Sequence, residues 1–531
     1  MTSRLPERQQ HRSKVDPHSL PPLVLGIDLI FRSSGPGGLS RFLCAMDAIS
    51  AVVSTRWTAR VFGDANLGDR RRNARLIRIV EGVADRPAGT IAEVFDNPAD
   101  LCGAYDFIEN DAIDPEALMA CMARDAARHA VEHPFVWVAT DGTSQTVTDR
   151  GRAKGTGPLG TTRLKGRGDK LHDALVMDPA GVPLGLCAVI DWQRAQTPAR
   201  RSHGRRDVDQ KETRYWLQAR DQARTRLREF APDVVLHFLH DREADSWTVL
   251  WDAVTHQNKE FTTVRAHWDR RLVRPDPIDD ADARTLRDAL ARTTIRGELE
   301  LTMPARGGQS ARTATLSVRA CRVTLDLRDK RHETHHAAPL NVVCVTEDSP
   351  PPGHAAVEWL LLTTAPVDTF EACVEVVRGY SLRWRIEELH RAWKSGATDL
   401  EASQLWTPRN RARWRLILAA VAVQLLRVKV LSETAPQTPA TKVFTPEQIE
   451  AVRDLQKDEV VPATGPVSLW QMAVAIAYLG GWLANKRRPP GIVPLRRGWQ
   501  RVAEYLIGLQ RRNERIASLR RTEIPARHEE K

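Results

Sequence analysis

Residues 380–394 read Tyr-Ser-Leu-Arg-Trp-Arg-Ile-Glu-Glu-Leu-His-Arg-Ala-Trp-Lys, and the predicted fold is organised around them. The stretch has no proline or glycine and many long unbranched side chains, which favours a helix. At about 100° per residue, four polar side chains share one arc of about 60°, opposite an apolar stripe. The polar four are Tyr380, Arg383, Glu387 and Lys394, and the stripe is Leu382, Ile386, Leu389 and Trp393. The helix is therefore either an ordinary amphipathic one with a solvated face or one that presents a carboxylate beside cationic groups.

Length and charge favour a large protein with a polyanionic partner. The 531 residues suffice for roughly two to four domains. Lys and Arg total 78 against 67 Asp and Glu, a net charge of +11 that suits nucleic acid but also occurs in basic proteins without such a partner. The seven cysteines show no zinc-ligand spacing, so a reducing cytoplasm is expected. The apolar runs are too short to span a membrane, and no signal peptide is recognisable.

Periodicity predicts helices towards both ends of the chain and strands between them. Residues 57–128 read as helical and contain a basic patch at Arg70, Arg71, Arg72 and Arg75, which is either a phosphate contact or a solvated face. Strands are predicted at 135–140, 172–178, 182–190, 234–239 and 261–264. Alternating residues over 272–358 indicate a separate β-rich insertion, after which the strand 359–363 leads into the helix described above.

Two aspartates are predicted to follow strands directly. Asp141 follows the strand 135–140 and Asp241 follows 234–239, while Glu387 comes from the later helix. Two-metal phosphodiester chemistry needs carboxylates from different elements, so these three are candidate ligands. Each aspartate alone is equally a turn residue or a helix cap. Asp245 is expected to face solvent, and His390 to lie on the surface.

Several motifs, in order along the chain, carry a resemblance to a known family. Tyr380-x2-Arg383-x3-Glu387-x6-Lys394 matches the Tyr-Arg-Glu-Lys signature of the insertion sequence four family of bacterial DDE transposases. Asp241-Arg-Glu-Ala-Asp245 resembles the second-Asp motif, and Asp141-Gly-Thr-Ser144 the first, which usually has Thr in place of Gly142. Further similar segments lie at 67–76, 211–216, 359–363 and 475–481. The chain resembles in particular the cut-and-paste branch typified by the transposase of transposon Tn-five.

The resemblance implies an α/β fold with an RNase H-like (retroviral-integrase-like) catalytic core, interrupted by a β-rich insertion and flanked by helical domains. The resemblance implies an N-terminal helical domain that binds transposon ends (46–118), the first part of the core (119–271), the β-rich insertion (272–358), the second part of the core with the Glu-bearing helix (359–431), and a C-terminal helical dimerisation domain (440–531). Residues 1–45, before Met46, have no counterpart in the family, and their Arg, Pro, Ser and Gly content predicts a disordered leader or an overcalled start.

The resemblance also implies a function. The chain would be a DNA transposase that binds transposon ends and performs cut-and-paste transposition by two-metal phosphodiester hydrolysis and strand transfer. Asp141, Asp241 and Glu387 would be catalytic and would hold two Mg²⁺ or Mn²⁺ ions, so their carboxylates are expected to converge on one pocket. The partners would be double-stranded DNA, as ends and target, and a second copy of the chain in a homodimeric synaptic complex. No membrane partner is expected, and the location would be the bacterial cytoplasm, at the nucleoid.

Eight further residues would contact DNA if the resemblance holds. Tyr380, Arg383 and Lys394 would grip end phosphates. Trp359 would stack on a flipped base, although a buried aromatic anchor explains it equally well. Contacts to the DNA ends would come from Arg75, Arg70 and Arg71, with Arg265 as a further contact. The alternatives are a non-catalytic DNA-binding transposition inhibitor, a domesticated copy, or a structure-selective nuclease on the same fold.

Overall fold

A computed structural model describes residues 28–30, 57–147, 152–160, 166–195, 206–273, 283–303, 312–457, 459–484 and 489–522. Three residues of the predicted leader, Asp28–Ile30, form a short strand, β1. The rest of the leader, and the possible start at Met46, lie outside the described residues.

Five helices open the described part of the chain. Their starts follow capping rules: Asp69, Asn97 and Asp114 each accept a backbone N–H of the first turn, and a proline follows the latter two. Apolar side chains such as Phe62, Leu76 and Ile79 are buried between them. The helices are α1 Trp57–Phe62, α2 Arg70–Asp85, α3 Ile91–Val94, α4 Pro98–Glu109 and α5 Pro115–Ala130.

The described strands form one mixed sheet, which confirms an α/β fold. After β1 the strands are β2 Phe135–Thr146, β3 Gly157–Pro158, β4 Arg167–Met177, β5 Pro183–Trp192, β6 Val235–His240, β7 Glu260–Arg265, β8 Gly297–Met303, β9 Arg312–Asp329, β10 Thr334–Thr346 and β11 Glu358–Thr363. Their order is β1-β8-β9-β10-β11-β7-β6-β2-β4-β3, and β5 also pairs with β4.

The centre of the sheet combines an antiparallel meander with two parallel strands. β2, β4 and β5 pair antiparallel in sequence, β6 lies parallel to β2, and β7 lies parallel to β6. The helix α6 Thr213–Phe230 leads from the meander to β6, and α7 Trp247–Thr255 leads from β6 to β7. A parallel neighbour needs such a crossover, so the helices follow from the strand directions.

The strands between 272 and 358 extend the central sheet instead of forming a sheet of their own, and the division into a core and an insertion stays a prediction. β11 pairs antiparallel with β7, with Leu361 opposite Arg265, and β8 to β10 continue the sheet beyond β11. β7 would otherwise leave its amides unpaired at an edge, and pairing with β11 satisfies them. The short helix α8 Leu286–Ala291 also lies in this region.

The helix predicted over 380–394 is part of a longer, irregular one. It consists of α9 Phe370–Leu382, α10 Trp384–Arg391 and a π-helical turn over Ala392–Gly396. The predicted apolar stripe is confirmed, since Ile386, Leu389 and Trp393 are fully buried in the main core. Gly379 brings α9 against the sheet, because a Cβ there would overlap the ring of Trp137.

The rest of the described chain is helical. α11 Pro408–Thr434 runs through the main core, and α12 Pro446–Leu455, α13 Leu469–Leu479 and α14 Ile492–Thr522 share a cluster of their own. None of the described helices is both long and apolar enough to cross a membrane.

Candidate active site and nucleic-acid interface

Asp141 lies within a strand rather than at its end. β2 continues to Thr146, because residues 137–146 pair with β4 even after the parallel pairing with β6 has stopped at Ala139 opposite Leu239. The strand end predicted at residue 140 therefore applies only to the edge of β2 that pairs with β6. There, two residues beyond the last parallel pair, Asp141 and Asp241 stand at the same level of neighbouring strands.

Asp241 performs the capping role that the sequence left open. Its Oδ1 accepts the backbone N–H of Glu243 at 2.8 Å, which starts the 3₁₀ turn Arg242–Ala244. Capping occupies one carboxylate oxygen, so the second remains available to a ligand. The negative charge of Asp241 also acts on Asp141.

The pKa of Asp141 is raised from 3.8 to about 6, chiefly because the carboxyl is buried. Nearby His390 and Arg383 oppose this shift, and the negative charge of Asp241 adds to it. The carboxylate thus lies in a place where its negative charge is incompletely compensated. A further cation would be favourable there.

Arg383 joins the first aspartate to the glutamate. Its guanidinium lies 3.3 Å from Asp141 Oδ2 and 2.5 Å from Glu387 Oε1. Its side chain is 10% exposed, so Arg383 faces the carboxylates rather than solvent. Asp141, Asp241 and Glu387 are accordingly gathered in one region, with a guanidinium between two of them.

The expected convergence of the three carboxylates on one pocket is not found in the part of the chain that the structure describes. No group of three or more His, Cys, Asp and Glu side chains among these residues is arranged to hold a metal ion. The donor types nonetheless suit Mg²⁺ or Mn²⁺, which prefer carboxylate oxygens. The guanidinium of Arg383 lies between Asp141 and Glu387 and supplies the positive charge there.

A histidine–aspartate pair supports this region and was missed in the sequence. Asp173 lies opposite Asp141 in the β2–β4 register, is fully buried, and contacts His390 Nε2 through Oδ2 at 3.0 Å. His390 is therefore buried, not on the surface as expected. The available signal was an aspartate at the start of the predicted strand 172–178, followed by four apolar residues, because a buried carboxylate needs a partner.

Tyr380 and Trp359 are packed together rather than presented to solvent. Their rings meet edge to face with centroids 5.3 Å apart, and they are 6% and 8% exposed. Trp359 thus takes the place of a buried aromatic anchor, and its stacking on a base stays a prediction. Arg265 lies beside them: it hydrogen-bonds the carbonyl of Glu358 at 2.9 Å, and burial lowers its pKa although Tyr380 opposes the shift.

Lys394 does not lie on the same helix face as Tyr380, Arg383 and Glu387. It lies in the π-helical turn, whose wider winding breaks the regular step assumed in the sequence. Its Nζ is 3.6 Å from Glu401, and it lines a cavity beside β2. Single-turn π segments are frequent at functional sites, so the departure is itself informative.

The expectation that Asp245 faces solvent is wrong. Its side chain is fully buried and accepts the backbone N–H groups of His267 and Trp268 at 2.7 and 3.1 Å. Arg270 pairs with it at 2.6 Å. These hydrogen bonds to Asp245 hold the loop after β7 in place. A buried carboxylate is tolerated here because several donors satisfy it.

The basic patch is divided between exposed and paired side chains. Arg70 and Arg71 begin α2 and are exposed, and Arg71 pairs with Asp69 at 2.9 Å. Arg75 instead packs on Gly103 and lies 3.7 Å from Asp100 on α4. Two of the three predicted DNA contacts thus project outward, and the third helps to hold α2 against α4.

Comparison with known proteins identifies this helical part of the chain. Residues 54–113 match the family described as transposase DNA-binding, and they contain all three of these arginines. The chain therefore carries a transposase-type DNA-binding segment. A solved structure of the piggyBac transposase synaptic complex with hairpin DNA aligns at 10% identity over 73% of each chain, with a TM-score of 0.31. That score is too low to support an assignment of fold or function.

Proposed function

We propose that the protein is a DDE DNA transposase of the insertion sequence four family, which cuts transposon ends and joins them to target DNA. One observation carries the proposal: Arg383 pairs with both Asp141 and Glu387, nearly 250 residues apart, and the charge of Asp241 acts on Asp141. The segment 54–113, which matches a transposase DNA-binding family, supports DNA as the substrate.

The strand arrangement supports an RNase H-like core. The meander β2, β4 and β5 followed by the parallel strands β6 and β7 is the order that such a core requires. In this arrangement, Asp141 and Asp241 lie on or directly after the neighbouring strands β2 and β6, and Glu387 lies on a helix packed on the sheet. A core of this kind explains why the acidic residues come from three distant segments.

Asp141, Asp241 and Glu387 would hold two Mg²⁺ or Mn²⁺ ions. Bound divalent ions would supply the Lewis acidity that activates water or a 3′-hydroxyl and stabilises the leaving oxygen. The buried Asp141, whose pKa is raised to about 6, supports a cation at this place, since the cation would repay the cost of burying the charge.

Arg383 would change partners when DNA and metal ions bind. In the free protein it neutralises Asp141 and Glu387. A planar guanidinium released from two carboxylates can grip a phosphate in the same two-pronged manner. The side chains of Tyr380 and Arg265, which lie next to Arg383, would bind the neighbouring phosphates.

The C-terminal helices would form a homodimer in the synaptic complex. Ile507 and Ile516 of α14 are each 39% exposed, and the surrounding residues 511–519 are exposed as well. Exposed apolar side chains such as these are available for contact with a second copy. The location in the bacterial cytoplasm at the nucleoid stays a prediction.

The test is metal-dependent cleavage of DNA that carries the inverted repeats flanking the gene. Asp141→Asn, Asp241→Asn and Glu387→Gln are each expected to lower the cleavage rate by about 10³-fold or more while end binding persists, because each removes one metal-ligand charge. Asp233→Asn, at a carboxylate that is 91% exposed, is the matched control and should cut normally.

The outcomes separate the proposed activity from its alternatives. A wild-type protein that binds the ends but never cuts them would be a transposition inhibitor. Products of hydrolysis without strand transfer from a labelled 3′-hydroxyl would indicate a nuclease. Cutting at the wild-type rate by any of the three acidic variants would refute the assignment of that residue.

A further inference from the structure

A cavity of about 470 Å³ lies beside β2 and β4, mainly on the face of the sheet opposite to the side chain of Asp141, and it extends around β2 to Thr143 and Lys394. Alternation along the strands places Gly142, Ser144, Lys170 and His172 on this face, with Gly142 opposite His172 and Ser144 opposite Lys170. The start of α6 closes the other side. Because Gly142 and Lys394 both line the cavity, it begins one residue beyond Asp141 and reaches the helix that carries Glu387.

The cavity contains a lysine, Lys170, that forms no ion pair with a described carboxylate, although Glu212 and Glu243 also line the cavity. Its Nζ donates to Ser144 Oγ at 2.9 Å. Arg194, also in the wall, is paired with Glu212 at 2.5 Å. Burial, followed by the nearby charge of Arg194, lowers the pKa of Lys170, and the charges of Glu212 and Glu243 oppose this shift without cancelling it. An anionic ligand would relieve this cost, because it would place a negative charge beside a partly desolvated ammonium.

A histidine presents a hydrogen-bond donor to the same space. Trp192 Nε1 donates to His172 Nδ1 at 3.3 Å, and an indole can only donate, so the neutral imidazole carries its proton on Nε2. Burial lowers the pKa of His172 to about 4, which keeps it neutral near pH 7. Trp192 is itself held by stacking on Tyr215 with centroids 4.2 Å apart.

Gly142 leaves the space that this donor faces. A Cβ at position 142 would lie 3.1 Å from His172 Nε2, closer than side chains normally pack. Nε2 forms no hydrogen bond to any part of the chain that the structure describes. The glycine that departs from the family motif is thus explained by the histidine across from it, since a threonine there would press on the ring.

We propose that Lys170, His172 and Ser144 form a phosphate-binding subsite that holds the backbone of a single DNA strand beside the acidic residues. This inference rests on the proposed function. It adds a second set of DNA contacts, separate from those expected of Tyr380 and Arg383. The ammonium, the imidazole N–H and the hydroxyl supply the donors that a phosphodiester accepts. A cavity of this size is suited to a few chemical groups of one strand and cannot admit a duplex.

The experiment compares two fluorescein-labelled DNA probes by anisotropy across a salt series. One is a blunt duplex, and the other is the same duplex with a single-stranded arm of about ten nucleotides. For Lys170→Met, the salt dependence of binding to the armed probe is expected to fall by about 0.7 in log–log slope, the value for one single-strand phosphate contact. Binding of the blunt duplex should be unchanged. Lys330→Met removes the same charge from an exposed turn and is the matched control.

A second pair of variants tests the histidine. His172→Leu should weaken binding of the armed probe without changing the salt slope, because a neutral donor is lost. His172→Gln keeps an N–H near the position of Nε2 and should restore most of the affinity. Thermal unfolding of each variant identifies loss of binding that is due to loss of folding.

Each result decides for or against the subsite independently of catalysis. If Lys170→Met matches Lys330→Met on the armed probe while the wild type cuts DNA, the subsite is wrong and the transposase proposal stands. If Lys170→Met shows the reduced slope but the wild type never cuts, the subsite stands as a DNA contact and the catalytic proposal fails.

Discussion

Arg383 lies between two of the three predicted catalytic carboxylates. This position gives the side chain two possible roles, as the partner of the carboxylates and as a contact to a DNA phosphate. In the free protein, the guanidinium of Arg383 forms ion pairs with Asp141 and Glu387. Facing DNA, it would be a phosphate contact. The two roles exclude each other at any moment, so binding of metal ions and binding of DNA are expected to be coupled through this side chain.

The raised pKa of Asp141 predicts how the free energy of unfolding depends on pH. The folded-state pKa of about 6 lies above the unfolded value of 3.8, so the protonated carboxyl is favoured in the native state. Its contribution to stability is greatest below pH 3.8, declines as pH rises to about 6, and is level above. Asp141→Asn removes the decline, so the variant should gain about 2 kcal/mol relative to the wild type between about pH 4 and pH 7. Denaturant titrations at a series of pH values measure this difference.

The control for this trend is a carboxyl whose shift has the opposite sign. A hydrogen bond from Lys259 lowers the pKa of the exposed Asp233, so Asp233→Asn should lose stability relative to the wild type as pH rises. A flat difference for Asp141→Asn would show that Asp141 is not buried as described.

The helix that carries Glu387 depends on one close approach to the sheet. Gly379 of α9 lies against the ring of the fully buried Trp137 of β2, and no side chain fits between them. This contact sets how far Glu387, two turns later, stands from Asp141. The element is therefore placed by packing rather than by its polar face.

Gly379→Ala tests this contact. The added methyl group should destabilise the protein by about 1–3 kcal/mol, because the Trp137 ring or the helix must move. Gly508→Ala, on α14 with nothing within 4 Å of the added Cβ, should instead stabilise by about 0.5–1 kcal/mol through helix propensity. Unfolding midpoints of the two variants measure the difference. Equal shifts would mean that α9 does not rest on Trp137.

At the scale of the whole molecule, α11 connects the sheet to the N-terminal helices. Arg411 and Arg415 pair with Asp169 of β4, both at less than 3 Å, and all three are buried. Arg413, on the opposite side, donates to the carbonyls of Ile108 and Ile113. The DNA-binding segment and β4, the strand that pairs with the Asp141-bearing β2, are thus joined through one helix.

Asp169→Asn should destabilise the protein by about 3–5 kcal/mol, because it leaves two buried arginines without their shared carboxylate. Asp191→Asn is the matched control: Asp191 also pairs with Arg415, at 2.7 Å, but is 36% exposed, so the loss should be within about 1 kcal/mol. Chemical denaturation followed by tryptophan fluorescence measures both. A small effect at Asp169 would show that α11 is held by apolar packing alone.

The sequence by itself determined the elements with a local pattern and singled out the acidic residues as candidates. Strand and helix periodicity predicted β6, β7 and the Glu-bearing helix within a few residues, and the first half of β2, because alternation and helical spacing are local properties. The family motifs drew attention to Asp141, Asp241 and Glu387. The apolar stripe of the helix was also readable, since burial of that side follows from its period.

Only the tertiary structure decided how those residues are used. The pairing of Arg383 with two carboxylates, the burial of Trp359 and Asp245, and the contact between His390 and Asp173 all join segments far apart in the chain. Neither spacing nor composition specifies which distant donor satisfies a buried charge. The continuation of β2 beyond Asp141 likewise depends on β4, because a strand ends only where its last neighbour ends.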